Sequence, residues 1–184
     1  QSILHTVPAV EDTGVQVCDT DIRNIRLRNV SYAYEEGNEV LHGVYLELEP
    51  EKVTVLVGHS GAGKTTCANL LLRYYDVNNG QVEINNTDIR NYTMESLRKN
   101  VSAVPQETYL FHESIRENIR IGRPDASDED VIKAAKAARA HEFIRNLPDG
   151  YDTITGEQGF RLSGGERQRI SIARAILRDT PVIL

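Results

Sequence analysis

At 184 residues, 40% of them hydrophobic and 26% charged, the chain is long enough for one α/β domain with a buried core. Its formal net charge of −6 argues against a nucleic-acid-binding protein, because neutralising phosphates requires a basic surface. No run approaches the roughly 18 apolar residues of a membrane span, and Cys18 and Cys67 form no CxxC pair, so we expect a soluble chain in a reduced, cytoplasmic setting.

The first 20 residues are predicted to be a linker. They combine Pro8, Gly14 and three acidic residues with little helical or strand periodicity. The chain opens on Gln1, with neither an initiator methionine nor a signal-peptide pattern. We therefore expect the natural protein to extend in both directions.

Residues 25–49 alternate between apolar and polar side chains, with Val30, Tyr32 and Tyr34 on one face. The turn residues Glu36, Gly37 and Asn38 interrupt this alternation. The pattern predicts two strands of an antiparallel sheet.

The run KVTVLV at residues 52–57 is rich in β-branched side chains and predicts a strand that ends in a glycine. Residues 64–75 follow with helical periodicity. Short strands are predicted at residues 81–84 and 101–104, and Pro105 ends the second because it removes a ladder donor.

Ser127 and Asp130 predict a capping box that opens a helix over residues 131–146. A further helix is predicted over residues 164–177, followed by an apolar strand at residues 181–184. The sequence contains no internal repeat.

GHSGAGKT at residues 58–65 fits the pattern G-x-x-x-x-G-K-[ST] and has a predicted strand before it and a helix after it. Such a loop turns successive backbone N–H groups towards phosphates, and the helix N-terminus adds positive potential. Lys64 is expected to reach the β/γ oxygens, Thr65 to supply a hydroxyl to Mg²⁺ and Thr66 to donate on the α-phosphate side. The predicted nucleotide-binding residues of this loop are Gly58, His59, Ser60, Gly61, Ala62, Gly63, Lys64, Thr65 and Thr66. A chance glycine-rich turn is the alternative, and it does not explain why motif, strand and helix agree.

A second motif, LSGGE at residues 162–166, precedes the arginine-rich run RQRISIARAIL. Ser163 can cap the following helix, while Gly164 and Gly165 allow a close approach to N–H groups that attract an anion. Ser163 with Glu166 also fits a capping box that does no more than start a helix. The two roles are compatible.

The P-loop and LSGG, in this order and spacing, resemble the motifs of ABC-type ATPases, and the similarity runs from about Leu4 to Leu184. The resemblance implies an α/β fold. Its parts are a P-loop NTPase (RecA-like) core, incomplete at the C-terminus, an antiparallel β subdomain near residues 23–50 and a helical subdomain near residues 107–161. Residues 1–20 would be a linker from a membrane domain and residues 21–184 the ATP-binding domain.

The resemblance also implies roles for individual residues. Gln106, in VPQETYLF, takes the place of a glutamine that touches Mg²⁺ and the attacking water, so Gln106 and Lys64 are the predicted catalytic residues, and Thr65 and Gln106 the predicted metal contacts. A glutamine after a strand is otherwise ordinary surface. Tyr34 resembles the aromatic that stacks on adenine, and its alternative is a strand aromatic that packs against Tyr32.

Ser163, Gly164 and Gly165 would contact the γ-phosphate of ATP bound to a partner domain. The implied partners are therefore a second ABC ATPase domain and the transmembrane domains of a transporter, with no nucleic acid, at the cytoplasmic face of the membrane. The five arginines near this motif are expected to form a solvated helix face.

Within the family the chain is similar to exporters. The segment at residues 93–127 resembles the passage between lobes in exporters with fused membrane domains, and SILHTVPAVEDTG resembles the connector after their last membrane helix. Glu157 resembles an exporter acid near the coupling helices, or it is a solvated loop charge. Two departures are Glu166, where exporters usually carry glutamine, and His59, where proline is common.

In this family the final DTPVIL continues into an aspartate of the Mg²⁺ shell and a glutamate that acts as general base, and a switch histidine follows. None of these is present in the sequence, so the 184-residue polypeptide is expected to show no ATPase activity above background. An ABC-type ATPase of DNA repair is disfavoured by the compact spacing of the motifs. A module that binds nucleotide without turnover remains an alternative.

Overall fold

The structure is a computed structural model that describes residues 10–35 and 37–184. The start of the predicted linker, residues 1–9, and the predicted turn residue Glu36 lie outside the described residues. The chain divides into two compact units, residues 1–101 and residues 102–184.

A four-stranded antiparallel sheet forms most of the first unit. Strand β1 (Ile25–Ala33) pairs on one side with β2 (Glu39–Leu48) and on the other with β3 (Asn79–Ile84), which in turn pairs with β4 (Thr87–Asp88). The buried side chains of β1 are two alternating pairs, Ile25 with Leu27 and Val30 with Tyr32. The alternation slips by one residue between the pairs, where Asn29 has a φ of 52° and the register of the strand pairing shifts. The predicted antiparallel β subdomain is confirmed.

Helix α1 (Lys64–Leu71) begins at the P-loop lysine, as predicted, but it ends four residues before Tyr75. Arg73 takes a left-handed φ of 50°, its N–H donates to the carbonyl of Leu70 (3.0 Å), and the N–H of Tyr74 donates to that of Asn69 (2.9 Å). These two bonds form a Schellman motif, which satisfies the last carbonyls of the helix and stops it. The predicted extension is therefore wrong.

The prediction of a strand at residues 52–57 is also wrong. No strand is assigned there, and Val53, Val55 and Val57 are exposed, with Val53 at 92% and Val57 at 90%. A strand requires hydrogen bonds to a neighbouring strand, and within the described residues this run has no such pairing. Its β-branched composition is suited to a strand, but composition supplies no partner.

Helix α2 (Met94–Asn100) completes the first unit after a 3₁₀ turn over Ile89–Asn91. The segment before β1 is docked along this region. Gln16 forms a parallel bridge with Tyr92, and Gly14 lies so close to Tyr92 that a Cβ atom would be 2.0 Å from its carbonyl oxygen. Glycine is required at this position by close backbone packing.

The side chain of Arg73, just after the end of α1, also holds this segment in place, and it is only 1% exposed. The guanidinium donates to the carbonyl oxygens of Glu11 (3.1 Å) and Tyr92 (3.3 Å) and pairs with the carboxylate of Asp76 (3.1 Å). These partners satisfy a charge that would otherwise be costly to bury.

Helices α3 (Ile115–Arg120), α4 (Asp128–Ala137), α5 (His141–Arg145) and α6 (Gly164–Arg178) build the second unit. Helices α3 and α4 pack against α6. Their shared core contains fully buried aliphatic side chains and closely packed alanines, including Ile115, Ile119, Val131, Ala135, Ile144, Ile170 and Ala173. The predicted helical subdomain and the helix after LSGGE are confirmed.

The helix predicted over residues 131–146 is instead two helices, α4 and α5. Arg139 adopts a φ of 55°, and the N–H groups of Arg139 and Ala140 donate to the carbonyls of Lys136 and Ala135 at 3.1 and 2.8 Å. This is a second Schellman motif, here again with arginine where glycine is usual.

Strands β5 (Val101–Ser102) and β6 (Val182–Ile183) form a two-stranded sheet, and both are shorter than predicted. The N–H of Leu184 donates to the carbonyl of Ser102 (2.9 Å), and its carbonyl accepts from the N–H of Val104 (2.8 Å). Leu184 thus bonds to the residues on either side of Ala103, which is the hydrogen-bond pattern of parallel strands. Parallel strands must be joined by a long connection.

No helix within residues 10–35 and 37–184 is long and apolar enough to cross a membrane.

Candidate functional site

The P-loop of the first unit depends on glycine for its backbone conformation. Gly61 and Gly63 have φ values of 82° and 80°, a region that other residues adopt only with strain. Gly63 is also the N-cap of α1, and a Cβ atom there would lie 2.5 Å from the side chain of buried Leu41. The chain's own fold therefore requires glycine at position 63.

Lys64 folds back over this loop. Its ammonium donates to the carbonyl oxygens of Gly58 (2.9 Å) and His59 (2.8 Å). Both acceptors are neutral, and a phosphate oxygen, which carries a negative charge, would bind the ammonium more strongly. The ammonium is thus held at the loop by contacts that a phosphate can replace.

Thr65 and Thr66 lie in the first turn of α1, with the side chain of Thr65 exposed and that of Thr66 buried. The Thr66 hydroxyl is 3.2 Å from the hydroxyl of Tyr34. The structure thus joins Tyr34, which was predicted from a separate part of the sequence, to the helix that follows the P-loop.

Tyr34 follows the end of β1 and is 48% exposed. Its ring packs edge-on against Tyr32 (4.9 Å between centroids) and Tyr75 (5.3 Å). The packing against Tyr32 that served as the alternative interpretation is therefore real. It also fixes the orientation of a ring of which about half stays accessible.

In the second unit, Ser163 is the N-cap of α6 and forms a capping box with Glu166. The Ser163 N–H and hydroxyl both donate to one carboxylate oxygen of Glu166, each at 2.8 Å, and the Glu166 N–H donates to the Ser163 hydroxyl at 3.4 Å. These hydrogen bonds with Ser163, with help from the Arg169 charge, hold the pKa of Glu166 below its ordinary value. The predicted capping box is confirmed.

Gly164 and Gly165 meet none of the restraints that act on Gly63. Both are exposed, neither has a positive φ, and a Cβ atom on Gly165 would meet nothing within 4 Å. On Gly164 it would approach only the Arg167 guanidinium, at 3.9 Å. Nothing in the chain's own fold requires glycine at these two positions.

The five arginines around this motif form a solvated face only in part. Arg161 and Arg178 are exposed, as expected, whereas the other three are partly buried. Arg174 donates to the backbone carbonyl of Asn118 (2.9 Å) and to its side-chain oxygen (3.2 Å), and burial lowers the pKa of its guanidinium. Arg169 lies over the ring of Phe143 at 5.2 Å, and Arg167 donates to the Leu162 carbonyl at 2.7 Å. Arg174 and Arg169 therefore connect α6 to α3 and α5 within the second unit.

Gln106 lies in an exposed bend shortly after β5. The loop that follows is held by Asn118, whose fully buried amide accepts from the N–H of Phe111 (2.9 Å) and donates to its carbonyl (3.0 Å). Thr155 adds a bond to the same carbonyl (2.8 Å). Sequence reasoning missed both positioning residues, because a single asparagine or threonine carries no motif.

Glu157, the residue that resembles an exporter acid, is exposed in a 3₁₀ turn.

No group of three His, Cys, Asp or Glu residues that could hold a metal occurs in the part of the chain that the structure describes. The predicted metal contacts are the Thr65 hydroxyl and the Gln106 amide oxygen. Mg²⁺ binds few protein oxygens and takes the rest of its shell from phosphates and water. Thr65 is exposed in the first unit and Gln106 is exposed in the second, so each side-chain oxygen is accessible to such an ion in its own unit.

Comparison with known proteins shows the family. Residues 41–184 match the sequence profile described as ABC transporter. The chain belongs to the ABC transporter family. Membership establishes the P-loop NTPase fold and ATP binding.

Two relatives illustrate the range of this family. The chain is 51% identical over 161 residues to the putative multidrug export ATP-binding/permease protein YgaD of Bacillus subtilis, covering 87% of this chain and 28% of that protein. It is 46% identical over 184 residues to the ATP-dependent lipid A-core flippase of Syntrophus aciditrophicus, covering 100% of this chain and 30% of the flippase.

A solved structure of a bacterial Atm1-family ABC exporter with ATP bound superposes on this member of the family with a TM-score of 0.94 at 39% identity. The match covers 99% of this chain and 32% of the exporter chain. The chain therefore spans about 30% of the length of these exporter relatives.

Proposed function

We propose that the chain is the ATP-binding and ATP-hydrolysing domain of an ABC exporter, in which ATP binding and hydrolysis drive transport of a substrate across a membrane. The observation that carries this proposal is a P-loop built for phosphate in one unit, together with signature glycines in the other that serve no purpose in the chain's own fold. The likeness to ATP-driven exporters supports it.

Within this proposal, Lys64 exchanges its two carbonyl contacts for the β/γ oxygens of ATP, and Gln106 orients the attacking water. Thr65 and Gln106 hold Mg²⁺, which neutralises phosphate charge when it is bound. Thr66 donates on the α-phosphate side. The first turn of α1 supports these roles, because its N–H groups add positive potential for an anion.

Tyr34 stacks on adenine in this proposal. Its half-exposed ring, fixed edge-on by Tyr32 and Tyr75, and its hydroxyl contact with Thr66 support the assignment. A ring that is already held in place gives up little rotational freedom when a base stacks on it.

The signature binds in trans. Ser163, Gly164 and Gly165 contact the γ-phosphate of ATP held by the P-loop of a second ABC ATPase domain, so that two domains enclose two ATP molecules. Glycines without an intramolecular role are explained by a partner that approaches the backbone closely.

The transmembrane domains of the exporter are the second proposed partner, with residues 1–20 as the linker to them and residues 21–184 as the ATP-binding domain at the cytoplasmic face. A groove of about 740 Å³ in the second unit carries exposed Phe111 and Ile121 beside Glu113 and Arg120. Apolar side chains grouped in a charged groove favour a protein contact. The groove begins five residues after Gln106, which would bring a membrane-domain segment close to the catalytic loop.

A mixing experiment tests the proposed function. Two copies of the full-length exporter carry different tags, one with Lys64→Ala and the other with Ser163→Arg, and the mixed dimer is purified through both tags. The measurement is the labelled nucleotide that is retained after incubation with ATP radioactive at the α-phosphate and orthovanadate, followed by desalting; vanadate traps the ADP that hydrolysis leaves in the site. We expect little retention in either uniform dimer, since every site in them has one damaged half, and about half of wild-type retention in the mixed dimer, which regains one intact site by the composite-site logic.

Two other results would count against the proposal in different ways. If the mixed dimer retains no more ATP than the uniform variants, Ser163 does not act on the ATP of the second domain. If Lys64→Ala retains ATP as wild type does, residues 58–65 are not the ATP site and the whole proposal fails.

A further inference from the structure

The Ser163 hydroxyl has one proton to donate, and that proton is already used. It is given to a carboxylate oxygen of Glu166 at 2.8 Å, and the same oxygen accepts the Ser163 N–H at 2.8 Å. In the proposed function, the same hydroxyl must donate to a γ-phosphate. The two acceptors cannot share one proton at full strength.

Glu166 is a strong competitor because it is charged at neutral pH. Its pKa lies below the ordinary value, chiefly because the Ser163 N–H and hydroxyl stabilise the carboxylate. The carboxylate also lies in the first turn of α6, where it satisfies the positive end of the helix that would otherwise attract a phosphate. Hydrogen bonds to a charged acceptor are roughly twice as strong as those to a neutral one.

We propose that Glu166 sets how tightly the signature binds phosphate, by competing with the γ-phosphate for the Ser163 hydroxyl and for the N-terminus of α6. The inference rests on the proposed function. It makes residue 166 a positioning residue whose charge weakens the ATP-bound pairing of two domains. Glutamine at this position would hold the same hydroxyl less firmly.

The chain supplies a matched control in its other capping box. Ser127 and Asp130 start α4 with the same pattern: the Ser127 hydroxyl and N–H donate to one Asp130 carboxylate oxygen at 3.0 and 3.3 Å, and the Asp130 N–H donates back at 3.2 Å. No glycine follows Ser127, and no proposed role involves phosphate there. A change at Asp130 therefore reports on capping alone.

The test uses the full-length exporter and hydrogen exchange measured by mass spectrometry. Protection of the peptide that covers residues 160–170 is followed as a non-hydrolysable ATP analogue is titrated, in wild type, E166Q, E166D and D130N. We expect the midpoint concentration to fall about five- to tenfold in E166Q, since a charge-assisted bond becomes a neutral one. E166D keeps the charge, and Asp130 shows that aspartate can close such a box, so its midpoint should match wild type.

The sign of the change separates competition from a structural role. Both E166Q and D130N weaken a helix cap and should lower the melting temperature slightly. A purely structural role for Glu166 would therefore leave the midpoint unchanged or raise it, and either result overturns the inference. A fall of the same size in D130N would also overturn it, because it would assign the effect to helix capping in general.

Failure of the inference is distinguishable from failure of the proposed function. Protection in wild type that Lys64→Ala abolishes shows that the signature responds to bound ATP, whatever E166Q does. If wild type shows no analogue-dependent protection, the signature does not contact ATP, and the proposed function fails together with the inference.

Discussion

The P-loop and the signature each place glycines at the start of a helix, and these glycines meet different surroundings. Gly63 has a φ of 80° and would force a Cβ atom to 2.5 Å from Leu41, whereas Gly165 has an ordinary φ and open space within 4 Å. The first glycine is explained by the chain that contains it. The second has no such explanation, and this difference points to a partner outside the chain.

The polar groups of the two motifs also differ. The Lys64 ammonium donates to two neutral carbonyls, whereas the Ser163 hydroxyl donates to the Glu166 carboxylate. Each set of bonds has one charged partner and is therefore charge-assisted. The sign of that charge is the difference: the ammonium attracts a phosphate, whereas the carboxylate competes with it.

Alanine substitution at the two glycines should give the largest contrast. Gly63→Ala is expected to lower the free energy of unfolding by about 2–3 kcal/mol, because strain at positive φ adds to overpacking against Leu41. Gly165→Ala should leave it unchanged or raise it by up to about 1 kcal/mol, since alanine is the better helix former. Urea denaturation monitored by circular dichroism measures both.

The same two variants can disprove this difference between Gly63 and Gly165. Gly165→Ala should impair the analogue-dependent protection of residues 160–170 in the full-length exporter although its stability is intact. A large loss of stability in Gly165→Ala would mean that the glycine serves the chain's own fold after all. If Gly63→Ala left the free energy of unfolding unchanged, the fold would not require glycine at position 63.

Substitutions at Tyr34 should have a moderate effect on ATP affinity and none on the signature. Tyr34→Ala is expected to weaken ATP binding by about 1 kcal/mol through loss of stacking. Tyr34→Phe should remain close to wild type, because it keeps the stacking ring and loses only the hydroxyl contact with Thr66. Titration of a fluorescent ATP analogue distinguishes them, and equal losses in the two variants would exclude stacking.

The smallest expected effect is a dependence of stability on pH that belongs to the signature. The folded-state pKa of Glu166 is lowered, mainly by bonds from Ser163 with a contribution from Arg169. Its stabilising contribution is therefore complete above the unfolded pKa, about 4.3, and is lost as pH falls through the lower folded value. Melting temperatures between about pH 6 and pH 3 should fall more in wild type than in E166Q, which has no carboxylate to protonate. Parallel curves would show that the capping box adds nothing to stability.

Local signals in the sequence were sufficient for the motifs and for the capped helices. Ser127 and Ser163 predicted the starts of α4 and α6, because an N-cap and its partner lie three residues apart. The P-loop was predictable since its glycines, lysine and threonine are contiguous. The alternation of Val30 and Tyr32 identified part of the buried face of β1 for the same reason, but it did not predict the register shift that follows Leu27.

Features whose residues carry no characteristic pattern were not predictable in this way. The ends of α1 and α4 carry arginine, Arg73 and Arg139, at the left-handed position of a Schellman motif, where glycine would have marked the stop. Residues 52–57 have the composition of a strand but lack a partner in the described structure. Asn118 organises a loop seven residues before it, and no pattern in the sequence reveals this.

The docking of the segment before β1 has a practical consequence for recombinant work. Besides the Arg73 bond to Glu11, the N–H of Cys18 donates to the Ser96 hydroxyl and its carbonyl accepts from Asn100, both at 3.0 Å. An expression clone that began at Asp21, just before the first strand, would delete all of these partners and leave a buried guanidinium and a buried amide short of acceptors. Such unmet groups each cost on the order of 1–3 kcal/mol. A cloning boundary placed before Glu11 keeps them, so the second half of the proposed linker should be included whenever the domain is expressed alone.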